Sequence, residues 1–239
     1  MIQVYKDKHE ISEAVASLFL QQAQQAIAAN NKFTVALTGG SSPVDLYRLL
    51  ATPAYADKID WTKVYVFWGD ERWVPLEDDL SNARMSFETL LNHVPIPQEN
   101  IFPMYSPDAS AEVYAQTYSD ILKRVLGPDG VFDLILLGMG DDGHTASLFP
   151  GTAVLNETEK WVDAYYLEPQ NMYRITLTAP LINKAKQLVV ITFGDKKAPA
   201  LFEVLQGERN AQQYPSQLLN PVHGDLLFVV DEAAASKLA

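Results

Sequence analysis

The stretch Phe132-Asp133-Leu134-Ile135-Leu136-Leu137-Gly138-Met139-Gly140-Asp141-Asp142-Gly143-His144 changes character at residue 138. Its first part is an almost unbroken apolar run, the pattern of a strand covered on both faces. Glycines at 138, 140 and 143 then open the chain into a flexible exit that ends on a histidine. A side chain presented just beyond the C-terminal end of such a strand stands where open α/β sheets place their ligands.

The same arrangement recurs twice upstream. Phe33-Thr34-Val35-Ala36-Leu37-Thr38 is a compact strand that runs into Gly39-Gly40-Ser41-Ser42-Pro43. A helix is expected from Pro43, with Ser42 as N-cap and Val44, Tyr47 and Leu50 on its buried side. Val64-Tyr65-Val66-Phe67-Trp68 ends in Gly69-Asp70-Glu71-Arg72. Further strands are expected at 174–178, 188–193 and 226–230. Helices are expected from Ile11 to Ala26, capped by Asp7 and Glu10, and over 113–125 and 198–205. Strands alternating with helices predict an α/β fold: a mainly parallel, Rossmann-like open sheet flanked by helices on both faces. With no repeat, low-complexity tract or linker, residues 1–239 read as a single domain.

Composition narrows the chemistry. Cysteine is absent, which removes disulfides, thiolate nucleophiles and Cys-based metal sites. The formal net charge of -12 argues against a nucleic-acid partner, because a phosphate backbone needs a concentrated basic surface. A few local cations can still hold a small anion. No apolar run reaches the length of a bilayer span and the N-terminus lacks a secretory layout, so the expectation is a cytoplasmic protein with no membrane or obligate protein partner. The histidines at 9, 93, 144 and 223 are scattered without ligand spacing, so neither a metal nor another cofactor is expected.

Each cluster admits a functional and a plain reading. Gly39, Gly40, Ser41 and Ser42 form either a capped strand-to-helix turn or a phosphate cradle built on backbone N–H groups. Asp70 and Arg72 are either a surface ion pair or a guanidinium that forks onto phosphate beside an orienting acid. Arg174 and Lys197 are either solvated charges or further anion contacts. For His144, the glycine frame and the neighbouring Asp142 favour a general base held in one tautomer. The following run, Thr145 to Phe149, is expected to open a helix. No G-x-S-x-G elbow supports a serine nucleophile. The aromatic-rich 161–173 stretch is either a lid or a packed part of the domain.

Taken together, the segments LTGGSSPVDLY (37–47), FWGDERWVP (67–75), Ser81-Asn82, LLGMGDDGHTASLFPGT (136–152), RITLT (174–178) and ITFGDKKAPAL (191–201) resemble the 6-phosphogluconolactonase family, in its order and over most of the chain. The resemblance extends more weakly to glucosamine-6-phosphate deaminases. Those proteins typically have a tyrosine after the acidic pair, where Arg72 stands here, and an asparagine and glutamate before the proline, where this chain has Ser147-Leu148-Phe149-Pro150. The resemblance implies a phosphorylated sugar lactone as substrate, hydrolysis without a cofactor, His144 as base, and Lys197, counted from Gly194, as the functional lysine ahead of Lys196. A deaminase or isomerase and a non-catalytic sugar-phosphate sensor are the alternatives.

Overall fold

The computed structural model describes all residues from 1 to 239. The elements run β1 (Ile2–Tyr5), α1 (Lys8–Asn30), β2 (Phe33–Leu37), α2 (Val44–Leu50), α3 (Pro53–Ala56), β3 (Val64–Trp68), β4 (Asp70–Arg72), α4 (Asn82–Thr89) and α5 (Ala111–Leu126). They continue as β5 (Leu134–Gly138), β6 (Val162–Leu167), β7 (Met172–Leu177), α6 (Ala179–Ile182), β8 (Gln187–Thr192), α7 (Ala198–Leu205), β9 (Asp225–Asp231) and α8 (Glu232–Ala235). Six strands form one sheet in the order β1-β9-β8-β5-β2-β3. Every pairing in it is parallel.

Successive residues of a strand face opposite sides of its sheet. All residues of β2 and β8 are buried, so both faces of this sheet are covered, as the apolar runs predict. From β2 the chain moves to β3 on one side, whereas β5, β8 and β9 lie on the other. The reversal of strand order therefore falls between β2 and β5. Their ladder pairs Val35 with Leu134 and Ala36 with Ile135, while β5 continues against β8 as far as Gly138 and Ile191. Such a switch point leaves a crevice at the strand ends, and Gly39 and Gly138 stand at its two lips.

A second, antiparallel sheet, β4-β7-β6, lies outside the sequence expectation. The 174–178 strand belongs to it and not to the main sheet. The 161–173 stretch is its outer hairpin, with Val162 to Leu167 paired along Met172 to Leu177, and Gln170 at its turn reaches the cavity. Gly69 joins the two sheets. Its N–H donates to the Leu37 carbonyl of β2 (2.8 Å), and its own carbonyl accepts from the N–H of Leu177 in β7 (2.9 Å). Asp70 to Arg72 consequently leave the main sheet and pair with β7, Asp70 opposite Thr176 and Arg72 opposite Arg174.

Helix boundaries follow local chemistry. Asp7 caps α1 by accepting from the N–H groups of His9 and Glu10 at 2.9 and 3.1 Å, and Glu10 reaches back to Lys6 N–H at 3.0 Å. Ser42 does not cap α2. Pro43 precedes the helix with helical dihedrals already in place, no side chain caps it, and Leu46 rather than Val44 joins Tyr47 and Leu50 in the core. No helix of the protein is long and apolar enough to cross a membrane.

Candidate active site

A cavity of about 260 Å³ opens at the switch point between the two sheets. It collects residues far apart in the chain: Gly39, Gly40, Ser41 and Ser42 after β2, Asp70 and Arg72 on β4, His144 after β5, Arg174 on β7 and Lys197 before α7. Those are the residues singled out by sequence, except that Asp142 stands behind His144 and not on the wall. Lys196 is exposed outside the cavity. The histidines at 9, 93 and 223 are likewise absent from its walls.

The glycine turn is held from beneath. Thr38 N–H donates to the Tyr47 hydroxyl at 3.0 Å, and that hydroxyl donates to the Thr38 carbonyl at 2.8 Å, which locks the residue preceding Gly39. Burial of Tyr47 raises its phenol far above the ordinary range, so it remains a donor. Gly39 lies flat on the Asn82 side chain, where a β-carbon would overlap the amide, and Gly40 has φ of +76°. None of the N–H groups of Gly39, Gly40, Ser41 or Ser42 donates within the protein, so the turn offers a run of free donors to the cavity.

The opposite wall is charged and buried. Arg174 is 4 % exposed, and its guanidinium lies 3.7 Å from Asp70 and bonds to Gln170. Burial depresses the Arg174 pKa, and the Asp70 carboxylate opposes that shift. Asp70 also accepts from Ser147 Oγ at 2.5 Å. Arg72 gives one Nη1 bond to the Leu80 carbonyl at 2.8 Å. The Nε atoms of Arg72 and Arg174 are buried without a partner. A buried donor without an acceptor is costly, so this wall concentrates two guanidinium charges with incomplete pairing. Lys197 adds a third cation, 2.7 Å from Asp141.

Glu71 has a different task from its neighbours. It is fully buried and accepts from the N–H groups of Arg72 (2.8 Å), Asn82 (2.7 Å) and Ala83 (2.8 Å), which fastens the first turn of α4 to β4. Asn82, placed by that helix start, donates Nδ2 to the Asp70 carbonyl at 2.9 Å and lines the cavity. Asn82 and Gln170 are wall residues to which sequence reasoning gave no role. The advance signal for Asn82 was the Ser81-Asn82 pair among the segments that carry the family resemblance; the Ser81 hydroxyl caps α4 by accepting from Arg84 N–H at 3.1 Å. Gln170 carried no signal.

His144 is fixed by the loop that carries it. Its Nδ1 lies 2.6 Å from Asp142 Oδ1, and its backbone N–H donates to the same oxygen at 3.0 Å. Partial burial would raise the Asp142 carboxyl, but the side-chain bond and charge of His144 and its backbone N–H outweigh that and hold it below the usual carboxylate range. An ionised carboxylate only accepts, so Nδ1 carries the hydrogen and Nε2 is left free to take a proton. Phe149 stacks on the imidazole with centroids 4.0 Å apart, and the Arg174 guanidinium lies 5.5 Å from the centre of the same ring. The expected helix after His144 does not form. Ala146 adopts a left-handed φ of +47°, Thr145 Oγ1 turns back to the Gly138 carbonyl at 2.8 Å, and Thr145 bridges Leu148 in a tight turn. Within the loop, the N–H groups of Gly140 and Gly143 are already engaged by the carbonyls of His144 and Gly140. They are therefore not available to stabilise an oxyanion.

An open α/β sheet with a cationic pocket and a carboxylate-held histidine at its switch point has the parts of an enzyme that holds an anion beside a base. More narrowly, the chain belongs to the family described as glucosamine-6-phosphate isomerases/6-phosphogluconolactonase, whose sequence model matches residues 6–228. It is 39 % identical to a 6-phosphogluconolactonase of Synechocystis, over 99 % of this chain and 98 % of that one. A solved 6-phosphogluconolactonase from Trypanosoma brucei superposes with a TM-score of 0.86 at 28 % identity, covering 100 % of this chain and 98 % of the other. A monomeric glucosamine-6-phosphate deaminase superposes with a TM-score of 0.84 at 19 % identity, over 99 % of each chain, and shares the fold.

Proposed function

We propose that the chain hydrolyses 6-phosphoglucono-1,5-lactone to 6-phosphogluconate, with His144 as general base. The observation that carries this reading is the Asp142–His144 pair at 2.6 Å, on a cavity whose other walls hold free backbone donors and the cations Arg72, Arg174 and Lys197. The phosphate sits against Gly39 to Ser42, with Arg72 and Lys197 neutralising it and Arg174 assisting from its pairing with Asp70. Holding the phosphate fixes the distant carbonyl beside His144, so binding energy remote from the reacting carbon goes into positioning.

Nε2 of neutral His144 takes a proton from water as the water oxygen bonds to the lactone carbonyl carbon. The tetrahedral adduct then collapses, the bond from that carbon to the ring oxygen breaks, and the imidazolium returns the proton to the departing oxygen. The new carboxyl group loses its own proton to solvent. Asp142 keeps the imidazole in one tautomer and stabilises its charged form. Phe149 favours hydrolysis over the deaminase reading: an apolar ring stacks on His144 within the segment where the deaminases carry a glutamate.

The test is hydrolysis of freshly prepared 6-phosphoglucono-δ-lactone, corrected for spontaneous opening, beside ammonia release from glucosamine 6-phosphate, in wild type and His144→Ala. Lactone hydrolysis that depends on His144 without ammonia release supports the proposal. Ammonia release alone transfers the chain to the deaminase reading, and silence in both assays favours a sensor. Arg72→Ala and Lys197→Ala should each erode the preference for phosphorylated over unphosphorylated lactone; full retention of that preference would misplace the phosphate site.

A further inference from the structure

The proposed hydrolysis puts negative charge on the lactone carbonyl oxygen when water adds, and the N–H groups of Gly140 and Gly143 cannot meet it because loop carbonyls already engage them. A donor suited to that oxygen comes from the other sheet. Gln170 ends the turn of the β6–β7 hairpin and lines the cavity. The turn that carries it is braced. Asn171 takes a left-handed φ of +51°, its N–H donates to the Glu168 carbonyl at 3.1 Å, and its side chain accepts from the Tyr166 hydroxyl. The Tyr166 ring meets Tyr173 edge-on across the hairpin, with centroids 5.2 Å apart.

The amide of Gln170 can face only one way. Arg174 Nη2 donates to it, and because a guanidinium has no acceptor, the contacting atom is Oε1. Arg174 is itself buried, with Asp70 3.7 Å from its Nη1, so the anchor is fixed. Nε2 is left with both hydrogens free and donates to nothing within the protein. Arg174 also lies 5.5 Å from the centre of Phe149, the ring that stacks on His144 at 4.0 Å. Gln170, Arg174, Phe149 and His144 thus follow one another in contact, which ties the free amide to the side of the cavity that carries the base.

We propose that Gln170 is a substrate-contacting residue whose Nε2 donates to the lactone carbonyl oxygen and stabilises the charge that gathers there, a role that rests on the hydrolase reading above. As the water oxygen bonds to the carbonyl carbon and His144 takes the proton, the carbonyl π pair moves onto its oxygen. The pair returns when the bond to the ring oxygen breaks. A neutral amide suits that sequence: it adds little to the hold on a neutral lactone and most when the oxygen turns negative, so its contribution falls on kcat. The phosphate dianion is better served by the cations and backbone donors already described.

The experiment is steady-state kinetics with freshly prepared 6-phosphoglucono-δ-lactone in wild type, Gln170→Ala, Gln170→Glu and His144→Ala. Beside it runs inhibition by 1,5-anhydroglucitol 6-phosphate, which keeps the ring and the phosphate but has no carbonyl. Gln170 is exposed at a hairpin turn, so both of its variants keep the fold, and circular dichroism checks this. Gln170→Ala should lower kcat by about tenfold to a hundredfold, less than an enclosed oxyanion donor because it borders solvent, while KM and the inhibitor Ki stay near wild type. Gln170→Glu keeps an acceptor for Arg174 and loses the donor, so its kcat should fall at least as far. Wild-type kcat in Gln170→Glu beside a loss in Gln170→Ala would overturn the proposal, by reducing Gln170 to a prop for Arg174. Unchanged kcat in both variants would overturn it as well. So would a joint rise in KM and Ki, by moving the contact to the phosphate or a ring hydroxyl. Those three results leave the hydrolase reading standing. That reading fails, and this inference with it, if wild type does not open the lactone or His144→Ala matches it.

Discussion

Gly140 packs its α-carbon so closely against the His144 ring that a single added methyl would overlap Nδ1 and crowd the Asp142 carboxylate. The glycine is therefore part of the histidine's mounting. Gly140→Ala should lower kcat by about a hundredfold, the lower range for a lost general base, while KM changes little. Steady-state kinetics with the phosphorylated lactone, beside circular dichroism to confirm the fold, checks this; unchanged kcat would show that the loop moves aside without cost.

On the proposed mechanism Asp142 acts through charge as well as geometry. In Asp142→Asn the side chain can still meet Nδ1, but the negative charge that stabilises the imidazolium is gone. The expected loss in kcat is about tenfold to a thousandfold. A loss that appeared instead in KM would make Asp142 a substrate contact and not a positioning residue.

Ser147 ties the two sheets together through the buried Asp70. Ser147→Ala leaves that carboxylate short of one donor, which typically costs about 1–3 kcal/mol. Urea unfolding should register the loss as a lower midpoint with unchanged slope. A midpoint within error of wild type would mean that Arg174 and Asn82 satisfy Asp70 unaided.

Burial pushes the Glu71 carboxyl from 4.5 up to about 7, against the pull of the three N–H groups it caps and with a small further push from Asp70. Because the folded value lies above the unfolded one, the native state keeps a proton that the unfolded chain releases. Stability from this group is therefore full below about pH 4.5, falls as pH rises to about 7, and is constant beyond. The wild-type protein should lose stability relative to Glu71→Gln across that window, by a few kcal/mol at most at about 1.4 kcal/mol per unit. Parallel pH dependences in the two proteins would show that Glu71 is ionised throughout.

The strands of the main sheet were legible because β2, β3, β5, β8 and β9 are apolar runs closed by turn residues, and burial on both faces leaves that mark. β4 was not, because Asp70, Glu71 and Arg72 are charged and become a strand only through pairing with β7 across the seam. β1 escaped notice because an edge strand keeps one flank open, and Ile2 and Val4 remain exposed. The cavity residues could be named because three glycine or charged clusters each follow a buried strand, where an open sheet has its crevice, and because the family resemblance pointed to Lys197. Asn82 could not be given its place, since its position depends on Glu71 capping α4, a long-range contact with no local periodicity. The helix expected after His144 gives way to other bonds: Thr145 Oγ1 turns back seven residues to the Gly138 carbonyl, and Ser147 reaches Asp70, distant in the chain.

The joint at Gly69 divides the labour of the cavity between two separately built parts. His144, Lys197 and the glycine turn ride on the large sheet, whereas Asp70, Arg72 and Arg174 ride on the small one. On the proposed reading the phosphate is held from both parts at once, by the glycine turn and Lys197 on one and by Arg72 on the other, so the pocket exists only while the joint keeps the two sheets in register.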